Sequence, residues 1–479
     1  MDRNILLVEP GYPTKFPPLG LMKISSYHKQ LGDNVTFFKG TKGEAFYTYW
    51  DRIYISTVFT YNWKVTVDTI LYCKGVVKDD LSRIVVGGIL ASLMPNELWK
   101  ATGIMPKVGV LDKPNDLDED NDLIVDEMIP DYELFDDSQY KYSLVDNSYF
   151  GYSTRGCVRQ CEFCGVPALE PKFIDYSGIK PYVQGIAELY GEKEHLVLFD
   201  NNILASKRFE KIISDIIDLG FERDARFSYE KNGKTFSRQR HVDFNQGTDA
   251  RLMKERHVRL LSKIALHPLR IAFDHLKDRE VYEKKIRLAA KYEILHLSNY
   301  VLYNYDDSPE DLWHRLKINI DLNKELDLKI YSFPMKYIPL HHQDRSYINE
   351  PRWNYQYIRG VQRILNVLKG TVMTSEDFFY RAFGKNRKQF IEILHMPERI
   401  LMHRGKEPQG EEKEWVKKFR ALTKNERQEL LDILCRNRSV KNLRNATSSI
   451  KDNKLKNILE YYLPPVPESK NRHLFKNMN

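Results

Sequence analysis

The feature that most constrains this chain is a group of cysteines about a third of the way along it. Cys157, Cys161 and Cys164 follow the order C-x3-C-x2-C and are three of the five cysteines in 479 residues. Three thiolates can bind three irons of a cubane [4Fe–4S] cluster and leave the fourth iron open to a small molecule. The alternative is a structural zinc site, which normally needs a fourth Cys or His nearby. The other cysteines are distant in sequence and the nearest downstream histidine is His195, so the spacing favours the cluster.

The cysteine segment resembles that of the radical S-adenosylmethionine (SAM) enzymes, which have an aromatic residue, here Phe163, directly before the last cysteine. Residues 154–156 and 165–167 are similar to the flanks found in members with a cobalamin-binding-type N-terminal domain. The resemblance implies that SAM chelates the open iron through its methionyl amine and carboxylate. It further implies that one electron from the cluster releases a 5′-deoxyadenosyl radical, and that a flavodoxin or ferredoxin supplies electrons.

Composition and cysteine usage restrict the class of protein. A hydrophobic content of 42% with 29% charged residues excludes a disordered chain, and the length fits two or three domains. No apolar run is long enough to span a bilayer, and residues 1–4 lead directly into the first predicted strand without a secretory signal. Three cysteines in one loop argue against a disulfide scaffold, so we expect a cytoplasmic protein.

Residues 1–111 show alternating strand and helix patterns that predict a doubly wound, Rossmann-like domain. The predicted strands are 5–8, 35–38, 53–57, 84–86 and 107–110. Residues 17–21 and 87–88 are similar to loops of the cobalamin-binding-type domains, although the D-x-H-x-x-G motif of many cobalamin proteins is absent. Cobalamin binding therefore stays open at this point. The acidic residues 112–145 predict a solvated linker.

Residues 146–335 show a longer strand–helix repeat. The predicted strands are 149–154, 195–199, 241–246, 269–273, 294–302 and 328–333, with a β-hairpin at 226–238 inserted before the third. Six parallel units predict a partial (β/α)6 barrel. The radical SAM resemblance implies the same fold.

Sites in such a barrel lie at the carboxyl ends of its strands. Strand two is followed by Asp200 and Asn202, where many radical SAM enzymes place a Gly-Gly-Glu that meets the methionyl amine, so the resemblance assigns both to cofactor binding. Asp249 and Arg251 follow strand three in a segment similar to one that approaches SAM in the family. Weaker candidates come after strand four: Asp274 and His275.

Residues 336–479 predict a basic, mainly helical region, because Lys and Arg outnumber Asp and Glu there. Cations alternate with large aromatic residues within it, namely Arg345, Tyr347, Arg352, Trp353, Tyr355, Tyr357, Arg359 and Arg363. This mixture suits phosphates with stacked bases. It suits equally an amphipathic surface that packs on the barrel mouth.

These observations predict a radical SAM enzyme whose reaction class is open, with methyl and methylthio transfer among the candidates. The C-terminal charge favours a nucleic acid or another phosphate-bearing substrate, and a peptide or small metabolite is the alternative. A different class also fits: a non-catalytic nucleic-acid-binding protein stabilised by zinc or a cluster. Metal analysis separates the enzyme, with about four irons per chain, from a protein with one zinc.

Overall fold

The computed structural model describes residues 2–43, 48–78, 80–119, 121–136, 140, 142–405 and 410–464. The chain is a mixed α/β protein with parallel sheets and many helices, as the sequence predicted. Within these ranges, no helix has both the length and the apolar character needed to cross a bilayer.

The N-terminal part contains a parallel sheet with the strand order β2-β1-β3-β4. Its elements are β1 (Asn4–Glu9), α1 (Leu19–Gln30), β2 (Asn34–Lys39), β3 (Arg52–Thr57), α2 (Trp63–Val76), β4 (Ile84–Gly88), α3 (Ile89–Leu93) and α4 (Pro95–Thr102). Alternate side chains of β1 enter different cores. Ile5 and Leu7 join the core that continues into the following domain, whereas Leu6 and Val8 pack with α2 and α4. Because both faces are covered, residues 5–8 of the strand are all apolar.

The predicted strand at 107–110 does not form. The Lys107 amide donates a single hydrogen bond of 2.8 Å to the carbonyl of Val86. Gly109 then adopts a left-handed conformation with φ of 85°, which turns the chain away from the sheet edge. The prediction was wrong because an apolar pair in a short segment does not reveal this turn.

All six strands predicted for residues 146–335 are present, in two parallel sheets ordered β5-β6-β9 and β10-β11-β12. Parallel bridges from Val242 to Leu266 and from Thr248 to Ile271 connect the third strand to the segment around the fourth. The elements are β5 (Ser148–Gly151), α5 (Val166–Leu169), α6 (Ile179–Tyr190), β6 (His195–Leu198), α7 (Phe209–Asp218), β7 (Arg226–Lys231), β8 (Lys234–Gln239), β9 (His241–Phe244), α8 (Glu255–Leu261), β10 (Leu269–Ala272), α9 (Arg279–Lys291), β11 (His296–Tyr303), α10 (Pro309–Leu326) and β12 (Lys329–Lys336). The predicted hairpin is the antiparallel pair β7–β8.

The acidic segment between the N-terminal sheet and the central domain is not the solvated linker that its composition predicted. In its described part, Val125, Tyr132 and Phe135 are buried in the core that the N-terminal sheet shares with the central domain. Its carboxylates find basic partners in the N-terminal part, because Asp118 forms ion pairs of 2.8 Å with Arg3 and 2.9 Å with Arg52. The segment therefore fastens the N-terminal sheet to the central domain.

The C-terminal part consists of helices that share one core with α10. They are α11 (Tyr355–Val367), α12 (Glu376–Phe383), α13 (Arg387–His395), α14 (Glu398–His403), α15 (Glu411–Arg420), α16 (Lys424–Arg436), α17 (Val440–Ser449) and α18 (Asn453–Leu459). Leu312 and Leu316 of α10 lie in one core with Trp353, Phe379 and Trp415. This shared core fixes the helical region to the side of the second three-stranded sheet.

Candidate functional site

The cysteine segment lies at the carboxyl end of β5. Cys157, Cys161 and Cys164 are free thiols, each partly exposed. Gly156, directly before the first of them, has a φ of 70°, and a Cβ at this position would overlap the carbonyl oxygen of Lys172. Only glycine fits such a left-handed residue against a neighbouring backbone, so the loop enters the cysteine segment along one defined path.

Asp200 braces the start of this loop. Its carboxylate is fully buried and accepts hydrogen bonds from the hydroxyls of Ser153 and Thr154, both at 2.7 Å. The backbone amides of the same two residues also donate to it, at 3.1 and 2.5 Å. Burial raises the pKa of the Asp200 carboxyl, and these donors oppose that effect by favouring the ionised form. The oxygens of Asp200 are thus engaged within the protein, and its observed contacts are those of a residue that positions the loop.

Burial and neighbouring groups shift the pKa of two of the three thiols, Cys161 and Cys164. Burial raises the pKa of Cys161, with a further contribution from Cys157, whereas the Arg251 guanidinium lowers it. Burial likewise raises the pKa of Cys164, with contributions from Cys161 and Cys157. A bound cation would reverse this repulsion between thiolates, because metal coordination strongly favours the deprotonated form.

Cys157 accepts two hydrogen bonds. The Arg159 amide donates to its sulfur at 3.4 Å, and the Asn202 Nδ2 donates to it at 3.5 Å. Asn202 is only 2% exposed, and its Oδ1 has no partner in the protein. A buried carbonyl oxygen without a donor costs about 1–3 kcal/mol. The orphaned oxygen beside a cysteine sulfur therefore calls for a ligand that donates a hydrogen bond.

The donor set fits the iron–sulfur cluster that the sequence implies. The candidate protein ligands are all sulfur, which is the ligand type of such clusters. The described residues contain no group of three His, Cys, Asp or Glu side chains that converge on a single metal ion. Cysteines that bind three different irons of a cubane have no need to converge on one point, so the arrangement is compatible with the cluster.

Asp249 and Arg251 lie beside the cysteine loop, as expected for neighbouring strand ends. The Arg159 Nε donates to Asp249 Oδ2 at 2.9 Å, and the Arg251 Nε donates to Asp249 Oδ1 at 2.8 Å. The two guanidinium groups hold the pKa of the Asp249 carboxyl below its usual value against the opposing effect of burial. One carboxylate thus joins the cysteine loop to the arginine that faces Cys161.

Phe163 packs among aromatic rings from other strand ends. Its ring centroid is 5.3 Å from that of Tyr305 and 6.4 Å from that of His275. The Tyr305 hydroxyl also donates to Glu162 Oε2 at 3.2 Å. The structure therefore brings together Phe163, Asn202, Asp249 and Arg251 around the cysteines.

An ionic network that the sequence analysis missed supports the same loop. Arg155 forms ion pairs of 2.9 Å with Asp126 and 2.6 Å with Glu170. Glu170 also accepts from the Gly156 amide at 2.7 Å. Asp126 contacts the buried Lys23 of α1 at 3.2 Å. The sequence shows Arg155 two residues before the first cysteine, but it does not show which carboxylates pair with it. Asp126 and Glu170 lie in two different segments, and Lys23 lies in a third.

The aromatic and basic series of the C-terminal part is mostly used for packing. Trp353 is fully buried and its indole N–H donates to the Asp307 carbonyl at 2.9 Å. Arg359 pairs with Glu398 at 2.6 Å, and Arg363 contacts the same carboxylate. Trp353 is thus unable to stack on a base, and the packing interpretation of this series is the better one.

Comparisons with known proteins complete the description of the site. No family model matches the chain, and no curated protein matches it. Among solved structures, the chain is similar to the radical SAM methyltransferase TsrM from Kitasatospora setae with cobalamin and a [4Fe-4S] cluster bound, with a TM-score of 0.48 and 14% identity over 71% of this chain and 77% of that one. The same enzyme with tryptophan substrate and a SAM analogue gives a TM-score of 0.49 and 14% identity over 71% and 75%. Streptococcus suis SuiB bound to its precursor peptide SuiA gives 0.30 and 11% over 54% of each chain. TsrM belongs to the class of enzyme that the cysteine segment resembles.

Proposed function

We propose that this protein is a radical SAM enzyme that binds a [4Fe–4S] cluster through Cys157, Cys161 and Cys164. The observation that carries the proposal is the placement of these three thiols in one braced loop at a strand end, beside the buried Asn202 oxygen that has no partner in the protein. When bound, the cluster would supply the single electron for reductive cleavage of SAM. The protein's own residues would hold the loop, orient SAM and keep water from the reacting atoms.

Asn202 and Arg251 are the residues that we assign to SAM. The orphaned Oδ1 of Asn202 can accept a hydrogen bond from the methionyl ammonium group. Arg251 contributes a positive charge beside Cys161 that suits the methionyl carboxylate. Asp249 holds that guanidinium in place, and Phe163 contributes an apolar ring. Asp200, in contrast, is proposed to act on SAM only through the loop that it positions.

The central domain is proposed to be a partial (β/α)6 barrel, with a Rossmann-like N-terminal domain whose strand ends share its active-site cavity. Contacts between the two support this arrangement, since the ring of Phe16 lies 5.9 Å from that of Phe199, at the end of β6. Cobalamin is the proposed ligand of the N-terminal strand ends. The segments 9–17, 57–62 and 87–93 contain no histidine, so these segments would bind it without a histidine ligand to cobalt. Methyl or methylthio transfer would then be the reaction class.

The substrate is proposed to be a peptide or small metabolite in preference to a nucleic acid. The sequence favoured a phosphate-bearing substrate from the basic C-terminal part. However, three of the four arginines of the aromatic series are engaged with carboxylates. A flavodoxin or ferredoxin remains the proposed electron donor.

The test is anaerobic reconstitution with iron and sulfide followed by metal analysis. We expect about four irons and four sulfides per chain, and production of 5′-deoxyadenosine from SAM under reducing conditions. Single Cys157→Ala, Cys161→Ala and Cys164→Ala variants should lose iron and this activity, whereas Cys435→Ala, at a distant cysteine, should keep both. One zinc per chain without iron would refute the proposal. Retention of full iron by any one cluster variant would remove that cysteine from the ligand set.

A further inference from the structure

Consecutive strand ends of the second sheet each carry an aromatic ring. His275 follows β10, Tyr305 follows β11 and Tyr337 follows β12. The centroids of His275 and Tyr305 are 6.0 Å apart, those of Tyr305 and Tyr337 are 4.7 Å apart, and Tyr347 extends the row at 5.7 Å from Tyr337. We call these four residues the aromatic wall. Its inner end contacts Phe163 of the cysteine segment.

One buried asparagine fixes the outer half of the aromatic wall. Asn304 is fully buried and adopts a left-handed conformation with φ of 68°. Its Nδ2 donates to the carbonyls of Tyr337 at 3.0 Å and Tyr347 at 3.3 Å, and its Oδ1 accepts from the Asn349 amide at 2.9 Å. A strained residue whose side chain is fully engaged indicates a loop arrangement that is fixed in advance. The rings are therefore held in position before any ligand binds.

The aromatic wall is separate from the hydrophobic cores. None of its four rings belongs to a core formed by the described residues, and each is partly exposed. Aromatic surface that is rigid, partly exposed and adjacent to a reactive centre is typical of a binding site for an apolar planar group. The wall therefore offers face and edge contacts within reach of the cysteine loop.

The acidic groups next to the aromatic wall are engaged by neighbouring side chains. Glu162 accepts from Tyr305, and Asp306 forms an ion pair with Arg352. The Lys336 Nζ donates to the carbonyl of Arg345, and burial lowers the pKa of this lysine to about 8. A strand of phosphates is bound by a row of cations along its path, whereas the surface here is a row of rings with Lys336 and Arg345 at its outer end. An uncharged aromatic group is the better match.

We propose that the substrate presents the aromatic side chain of an amino acid, free or within a peptide, and that this ring packs on the aromatic wall. The inference rests on the proposed function, because it uses the wall's position beside the cluster loop. Tyr337 and Tyr347 form the outer half of the site, and Asn304 is its positioning residue. The wall selects for ring shape, whereas the chemistry takes place at the cysteine end.

The test measures binding to the reconstituted, SAM-loaded protein by anaerobic calorimetry. The probes are L-tryptophan, L-tyrosine, their N-acetyl amides as peptide mimics, N-acetyl-leucinamide as the aliphatic control, and adenosine and uridine as nucleobase controls. We expect the aromatic amino-acid probes to bind at least about five-fold more tightly than the leucine probe. Preference for the free or the blocked form then identifies a metabolite or a peptide as the source of the ring.

Variants at the wall locate the binding. Tyr337→Leu and Tyr347→Leu should each weaken binding of the best aromatic probe about five-fold, while Phe236→Leu, at an exposed ring on the distant β8, should leave it unchanged. Circular dichroism and iron content of every variant show whether it is folded and loaded. The proposal would be overturned if the leucine probe bound as tightly as the aromatic amino-acid probes, or if the nucleosides bound more tightly than they do. It would also be overturned if both tyrosine variants kept the wild-type affinity. Absence of iron from the wild-type protein would instead count against the proposed function, and the same titrations on that protein would still test the wall.

Discussion

Replacement of Asp200 by alanine tests the brace of the cysteine loop most directly. The carboxylate is fully buried and receives the amides and hydroxyls of Ser153 and Thr154. In Asp200→Ala the two hydroxyls can rotate toward other acceptors, but the two amides stay buried without one. Each such donor costs about 1–3 kcal/mol, so the free energy of unfolding should fall by about 2–6 kcal/mol. Asp200→Asn keeps one acceptor oxygen and should lose about half as much.

The assay is urea unfolding of the apoprotein followed by far-UV circular dichroism, combined with iron content after reconstitution. We expect Asp200→Ala to unfold at lower urea and to bind less than half of the wild-type iron, because the loop that carries Cys157 loses its anchor. Asp218→Asn is the matched control, since this exposed carboxylate of α7 pairs with Lys180 at 2.8 Å on the surface. A change in unfolding free energy below about 0.5 kcal/mol for Asp200→Ala, the range of ordinary surface substitutions, would refute the brace.

Three further predictions concern other parts of the molecule. Burial and neighbouring histidines lower the pKa of His241 to about 4. The unfolded chain therefore binds more protons than the folded one as pH falls from about 6.5, and the folded state loses stability. Urea unfolding at pH 7 and 4.5 should show this loss, which His241→Gln reduces and exposed His403→Gln does not. Trp353→Phe should lower the unfolding free energy by about 1–3 kcal/mol without changing the affinity for RNA measured at several salt concentrations. Gly88→Ala, at a φ of 99°, places a Cβ against the Thr57 backbone and should abolish any cobalamin binding seen by corrin absorbance.

The sequence by itself determined the local features of this protein. The cysteine spacing predicted a metal-binding loop without reference to the rest of the chain, because all three proposed ligands lie within eight residues. The six strands of the central domain were predicted because buried parallel strands are short apolar runs separated by helical periods. Four of the proposed cofactor residues, Asp200, Asn202, Asp249 and Arg251, were assigned from the family resemblance at the ends of these strands.

Tertiary structure decided how those residues are used. Asp200 was assigned to the cofactor from its position, yet its oxygens bind a loop that lies 46 and 47 residues earlier in the chain. Trp353 and its neighbouring arginines suited either a nucleic-acid surface or packing, and the folded chain uses them for packing, because α10 covers Trp353 and Glu398 pairs with Arg359 and Arg363. The acidic segment was predicted to be a linker because its composition does not show its partners. These are Arg3 and Arg52, which belong to the N-terminal sheet and lie far away in the sequence. Composition and periodicity indicate which interactions a side chain is able to form. Whether it is buried and which residue it pairs with depend on distant segments that only the folded chain brings into contact.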